Sequence, residues 1–517
     1  MSSDLGHSES SLDKYWRGLF WSISSFAIRF TIGIGSSILF VRYLGDTGYG
    51  AVVVMADFVT LSIVLLSQGL GVVQTRVVPQ LFVQNELGMV KDFLYKVFMI
   101  RIALSLIASL LLYPFIPWLH AKLFPEVNSS LLVVALVLIP VQMTWTCFRG
   151  TLEVTYHQKE LVFTDVAGLI FRLLAAAPVI YFDLGVVWFF GTQVFTDLFL
   201  TLLYGYLFRV KVWARIADAA RIKFKGKMWS VGWIMMLVLF SGKLLGKEMD
   251  TQILSYRLKA AALPEIAIYT ISFYFVVRCL ALIGSADGGI ANLTQSIMSE
   301  LVHIEDFKGL RTLYSSQLQI YYFFAIPLAL GGWVLSERIL TLMYGASFAG
   351  GGNVCGLLFM VFGWTIISKL NYPMIYSLGR EKSLLVERTL WGYLNVVGSY
   401  YLAPWGAIGV ASATGLCMVG MCVCETLWVR RLISPSYPIR FMLKILGGAL
   451  LMAVLVALFI KDAPFNSQLL NLLGAVVIGT IVFGASQVAL KPICKSDVES
   501  SRLFSGPIRK ALYVLAR

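Results

Sequence analysis

The sequence predicts an all-α polytopic membrane protein of about 14 transmembrane helices, arranged as two pseudo-symmetric six-helix lobes followed by two C-terminal helices. Three observations predict it. The 517 residues are 58% hydrophobic and only 14% charged, with a mean hydropathy of +0.79, a composition outside the range of soluble domains. Apolar runs of spanning length recur near 19–41, 51–73, 96–118, 130–148, 163–182, 185–207, 230–256, 266–288, 318–336, 354–376, 384–402, 406–428, 441–460 and 468–490, each close to the ~20 residues that cross a hydrocarbon core. Finally, the chain repeats weakly. Ile38-Leu39-x-x-Arg42 returns as Ile253-Leu254-x-x-Arg257, 215 positions on, and Gly185 returns as Gly406, 221 positions on. Six spans per half is an even number, so the two halves share one orientation, as parallel transporter repeats do.

Taken in order, Met1 to Lys14 is polar and mixed in charge, and the first apolar run is long enough to span, so no cleavable leader is expected. Residues 1–207 form the N-terminal lobe, spans one to six, with Asp183 and Gly185 turning span five into span six. Residues 208–229 are a basic cytoplasmic linker whose FRVKVWARIADAARIKFKGK stretch reads as an amphipathic helix lying on anionic lipid. Residues 230–430 form the C-terminal lobe, spans seven to twelve, with Pro404 and Gly406 turning span eleven into span twelve. Residues 431–517 hold spans thirteen and fourteen and a tail.

The net charge of +14 does not point to nucleic acid. With the N-terminus in the cytoplasm, the inner loops hold Lys91, Lys96, Arg149, Lys159, the linker bases, Arg380, Lys382, Arg430 and Arg431, while the outer loops hold few. That asymmetry sets orientation and predicts both termini inside a cytoplasmic membrane. The seven cysteines lie mostly in apolar runs and the four histidines are scattered, so neither a disulfide framework nor a metal site is expected.

The segment 230–257 carries Lys243, Lys247, Glu248 and Asp250 in a run of spanning length. Positions 243, 247, 250, 254 and 257 recur at i+4, i+3, i+4 and i+3, so they share one helical face. A charge near the bilayer centre costs between ~3 and ~15 kcal/mol unless paired or wet. Two readings follow: a water-filled cavity lined by this helix, or a dry pair such as Lys247 with Asp250. Arg29 occupies the equivalent place in the first half, and Arg278 lies mid-way along span eight. A wall of Arg29, Lys243, Lys247 and Arg278 suits a pyrophosphate or an acidic sugar, because guanidinium grips phosphate oxygens two at a time and ammonium adds a point charge. Asp57, Glu248 and Asp250 are candidates for ion coupling or for balancing those bases. Arg172 can pair with Asp165 or Asp197 within its own half, and Lys369 and Glu425 are expected to snorkel to the interface. The glycines of Gly69-Leu70-Gly71 and of Gly284 to Gly289 permit bending or close helix contact.

Four stretches carry a resemblance: Arg42-Tyr43-Leu44-Gly45-Asp46-Thr47-Gly48-Tyr49-Gly50, Tyr344-Gly345-Ala346-Ser347-Phe348, Leu378-Gly379-Arg380-Glu381-Lys382, and Leu402-Ala403-Pro404-Trp405-Gly406-Ala407-Ile408-Gly409. The chain resembles the polysaccharide-exporter (Wzx-type) flippases of the multidrug/oligosaccharidyl-lipid/polysaccharide superfamily. Asp250-x-x-Ile253-Leu254 is also similar to a pattern in that family's seventh span.

The resemblance implies a two-lobed bundle moving polyprenyl-pyrophosphate-linked oligosaccharide between leaflets for surface polysaccharide (O-antigen, capsule or exopolysaccharide) synthesis. It implies no enzyme activity and no cofactor beyond coupling to an H+ or Na+ gradient. Partners implied are membrane lipid, a polysaccharide polymerase and a chain-length regulator, with no nucleic acid. The rivals are a lipid II flippase or multidrug exporter of the same superfamily and, from another class, a membrane glycan polymerase or ligase. The rival enzymes usually need a large outer loop, and here those loops are short. No Gly-x-x-x-x-Gly-Lys-Ser/Thr loop is present to power an ATP-driven pump.

Overall fold

The computed structural model describes residues 11–155, 157–224, 228–281, 298, 301–462 and 464–491, and all regular structure among them is helical. The helices are α1 (Ser11–Ile63), α2 (Gly69–Val83), α3 (Leu87–Leu112), α4 (Ile116–Lys122), α5 (Ser129–Val154), α6 (Gln158–Tyr181), α7 (Val186–Phe208) and the single turn α8 (Ala214–Ile216). They continue as α9 (Met228–Leu244), α10 (Lys247–Leu258), α11 (Ala262–Ala281), α12 (Phe307–Tyr344), α13 (Gly351–Trp364), α14 (Ser368–Ser377), α15 (Glu381–Leu402), α16 (Gly406–Ile433), α17 (Ile439–Asp462) and α18 (Gln468–Leu490). The Gly284–Gly289 stretch and the tail beyond Lys491 lie outside the described residues.

Eleven helical stretches among the described residues are long and apolar enough to cross a membrane, fewer than the fourteen expected. Phe30–Leu66 runs through parts of the expected spans one and two, and Lys382–Ile433 contains spans eleven and twelve. Each is folded at one glycine: Gly45 has φ 68° and ψ −175°, and Gly406 has φ 72° and ψ −154°. Only glycine reaches this region without steric strain. Gly185, which the sequence repeat matches to Gly406, has φ 84° and ψ −178°, so the two turns share one backbone conformation.

The chain divides into two compact units, Met1–Ala267 and Ile268–Arg517, with the boundary inside α11. In the first unit α1 packs on α5, α6 and α10, while α2 packs on α3, α5 and α9. The stretch Arg42–Gly50 is a packing hub. The Tyr43 hydroxyl donates to the Val179 carbonyl and accepts from the Gly185 N–H, both at 3.1 Å, which ties the α1 turn to the α6–α7 turn. A Cβ on Gly50 would stand 2.0 Å from the Leu263 carbonyl oxygen, and one on Gly69 would stand 2.1 Å from that of Gly232. Without a hydrophobic drive between helices in lipid, such close backbone approach is what holds them together. Gly69 follows a wide π-type turn, Val64–Gln68, which joins α1 to α2.

The expected helix over the linker extends only to Ile216, through a π-type turn at Arg209–Trp213 and α8. After α8 the chain from Ala217 to Phe224 is non-helical and lies along the start of α3. The Asp92 carboxylate accepts from Arg221 Nε at 2.7 Å and from the Phe224 N–H at 2.9 Å. Lys91 donates to the carbonyls of Ala217 and Ala219 at 2.5 and 3.1 Å. These bonds engage the linker's charges and backbone within the protein.

In the second unit α12 packs on α13 and α17, α17 on α18, and α16 on α13, α14 and α15. Leu335, Met452, Val456 and Ala475 form the core that joins α12, α17 and α18. The last two helices thus pack on α12 of this unit. Replacing Gly69 by Ala is expected to lower the thermal unfolding midpoint of the purified protein, corresponding to about 1–3 kcal/mol of overpacking. Gly242→Ala on α9, where a Cβ meets nothing within 4 Å, should leave the midpoint unchanged or raise it.

Candidate functional site

The expected continuous helix over 230–257 is broken. α9 ends at Leu244, α10 starts at Lys247, and Gly246 between them is extended at φ −101° and ψ 161°. Gly242 and Gly246 flank the break, and glycine is a poor helix former. Lys243 therefore sits in the last turn of α9 while Lys247, Asp250 and Leu254 belong to α10, so the expected single face does not exist. The new N-terminus gathers acid: Glu248 and Asp250 occupy the first turn of α10, where the helix dipole favours negative charge. The Gly246 carbonyl accepts from the Met249 and Asp250 N–H groups at 3.2 and 3.4 Å.

Lys247 carries positive charge into that same turn, and its compensation comes from elsewhere. Its Nζ lies 2.6 Å from both carboxylate oxygens of Asp57 on α1. Thr251 Oγ1 donates to Asp57 Oδ2 at 2.7 Å. Lys247 is 3% exposed and Asp57 4%. One turn away, Gln252 Nε2 donates to the Val54 carbonyl at 3.0 Å, and Ser255 donates to the Glu126 carboxylate in the α4–α5 loop. Lys247, Thr251 and Ser255 form an i+4 row that stitches α10 to α1 and to that loop. Across the break, Lys243 bonds Glu248, and this pair keeps partial access to solvent at 32% and 15% exposure.

The structure therefore joins Asp57 with Lys247 and Lys243 with Glu248. Asp250, the acid considered as the partner of Lys247, is fully buried on the same turn. Arg278 is half-buried in the second unit, its guanidinium 5.8 Å from the Tyr274 ring centre. The side chain of Arg29 lies outside the described residues. Arg172 stands over the Phe40 ring at 5.5 Å and within electrostatic reach of Asp197, while Asp165 is taken by Arg149 at 3.3 Å and by the Tyr204 hydroxyl.

Sequence reasoning missed Arg101, which is 4% exposed in the middle of α3 and reaches Thr146 Oγ1 at 3.5 Å. A lone arginine inside an apolar run was the available signal. It missed Thr251 and Ser255 too, which extend the row from Lys247 at four-residue spacing. Glu425, expected to snorkel, is 0% exposed. An apolar groove of about 460 Å³ between α3, α5 and α7 has no charged residue in its lining, so it offers nothing to a pyrophosphate. Among the described residues no cluster of three His, Cys, Asp or Glu side chains is placed to hold a metal ion.

The Asp57–Lys247 pair predicts a non-additive response. Lys247→Met leaves a buried carboxylate without its counter-charge and should cost about 3–5 kcal/mol of stability. Adding Asp57→Asn should recover most of it, read as coupling in a double-mutant cycle of thermal unfolding.

With the geometry in view, the chain can be set beside known proteins. A search of curated proteins finds no significant match. Among solved structures, one titled "Lipid II flippase MurJ, inward closed conformation" superposes with a TM-score of 0.70 at 16% identity, covering 91% of this chain and 98% of that one. An inward-facing multidrug resistance MATE family transporter of the MOP superfamily gives 0.64 at 14% identity, covering 80% of this chain and 98% of that one. A MOP superfamily transporter from Pyrococcus furiosus, titled for the reverse polarity of its binding pocket, gives 0.52 at 15% identity, covering 80% and 95%. These likenesses fix the fold as that of the MOP superfamily. The profile of the polysaccharide biosynthesis protein family matches residues 39–350, more than half of the chain, and this multi-pass membrane protein belongs to that family.

Proposed function

We propose that the protein is a flippase that moves polyprenyl-pyrophosphate-linked oligosaccharide repeat units across the cytoplasmic membrane by alternating access. It would supply surface polysaccharide (O-antigen, capsule or exopolysaccharide) synthesis. The observation that carries the reading is the break at Leu245-Gly246, with four charged side chains clustered around it. Non-helical backbone and ionisable groups within a membrane bundle mark substrate and ion pathways, because lipid tolerates neither. The family description favours a glycan cargo over a drug. The wall-precursor flippase shares the fold, and it remains the second reading on that ground alone.

In this reading Arg29, Lys243 and Arg278 contact the pyrophosphate or acidic sugars. Lys243 is the most available of the bases at the break, since it keeps partial exposure. Lys247 reaches an anion only by releasing Asp57, so binding there would be linked to freeing α10 from α1. Asp57, Glu248 and Asp250 then balance or couple charge, with H+ or Na+ as the driving ion. In this reading the two six-span sequence halves meet at the basic linker 208–229, although the compact units divide at Ala267; both termini are cytoplasmic, and a polymerase and a chain-length regulator are the expected partners.

Arg29→Ala, Lys243→Ala and Arg278→Ala should each abolish surface polysaccharide in cells whose own copy is deleted, while membrane levels of the protein are unchanged. Lipid-linked repeat units should accumulate on the inner leaflet. Normal polysaccharide from all three variants would remove the cationic site.

A further inference from the structure

A second acid in the molecule has the opposite environment to Asp57. Glu425 on α16 is 0% exposed, and among the described residues neither of its carboxylate oxygens has a hydrogen-bond partner. Its neighbours from α15 are Glu387 and Arg388, and from α14 Ser368 and Lys369. Ser368 lies beside the carboxylate, yet none of the four makes a hydrogen bond to it. Arg388 lies over the Tyr372 ring at 4.2 Å, and its Nε is without an acceptor. Ser368 Oγ makes no bond. Both oxygens of Glu387 are buried and without partners as well. Lys369 lies at the exposed edge.

The remaining polar groups nearby are engaged elsewhere. Thr426 donates to the Cys422 carbonyl at 2.7 Å and receives Asn371 Nδ2 at 3.0 Å, and Asn371 in turn accepts from the Tyr314 hydroxyl at 2.5 Å. Tyr437 packs edge-on against Tyr314.

A buried carboxylate with no donor is far more costly than its neutral acid. Two such carboxyls within electrostatic reach cannot both ionise cheaply, so they take up and release protons as a pair. We propose that Glu425, with Glu387 beside it, is a proton-binding site of the second unit. The carboxylate takes its proton from water and returns it to water. A metal cation fits less well, since Arg388 and Lys369 already place positive charge beside the pair. That this proton couples transport rests on the flippase reading; that it binds does not.

The test is infrared difference spectroscopy of the full-length protein in detergent across a pH titration. The stretching band of a protonated carboxyl should grow as pH falls. A component at higher frequency than that of water-exposed carboxyls should be lost in Glu425→Gln, shift its midpoint in Glu387→Gln, and stay the same when sodium is replaced by choline. A second measurement does not depend on variants. A hydrophobic carbodiimide, which reacts with protonated buried carboxyls, should label Glu425 of the native protein at acidic pH and not at alkaline pH, as mapped by mass spectrometry. A high-frequency component unchanged in Glu425→Gln, a component that responds to sodium at fixed pH, or label absent from Glu425 at every pH would overturn the proposal. No substrate enters either measurement, so a negative result here leaves the flippase reading standing, and normal polysaccharide from the cation variants leaves the proton site standing.

Discussion

α10 is held against α1 by a lysine and an aspartate that have almost no access to water. Removing two charges from water costs several kcal/mol per ion, and mutual attraction offsets that only where geometry is good and other bonds help. Here Nζ meets both carboxylate oxygens and a threonine hydroxyl adds a third donor. Even so, a well-packed apolar pair of the same volume would hold the helices together as well or better. Bulk stability is therefore a poor reason for charge at this place. What an ion pair offers and an apolar pair does not is a contact that a competing charge can open. The break at Gly246 complements it, because a short α10 joined to α9 by extended backbone can change its angle without bending a long helix.

Around that contact the first unit is rigid for a different reason. The Arg42–Gly50 stretch that carries much of the family resemblance contributes no charge to the break. Tyr43 fastens the turn at Gly185, Gly48 lies against Val186, and Gly50 receives the backbone at Leu263. Its residues are there because two backbones must approach within a distance that any side chain would prevent. A motif can thus identify a family while its residues serve packing alone, and the chemistry must be sought in residues that no motif contains.

This division explains what the sequence made legible. Membrane residence followed from apolar run length, and the turns at Gly185 and Gly406 followed from local punctuation, because both depend on neighbours in the chain. The intramembrane charges were visible one by one, but their partners were not. Asp57 and Lys247 are 190 positions apart, and nothing local distinguishes that pairing from Lys247 with Asp250 on the same helix. The break at Leu245-Gly246 was hidden because averaged hydropathy does not register two residues. Arg101 was lost in the same average. The non-helical part of the linker after Ile216 was not legible, because a helical charge pattern says nothing of Asp92, whose carboxylate holds Arg221 and the Phe224 N–H.

Asp57 and Glu425 show how little residue type alone determines. Both are carboxyls inside apolar helices and both are out of water. Asp57 meets an ammonium and a hydroxyl. Neither oxygen of Glu425 has a hydrogen-bond partner, and the guanidinium beside it lies over an aromatic face. The difference lies in where neighbouring donors point, which only tertiary structure decides. In a membrane protein that difference separates a fixed charge from an exchangeable one. A carboxyl satisfied by protein donors has no use for a proton, whereas one left without donors acquires its partner from solvent or remains at high energy.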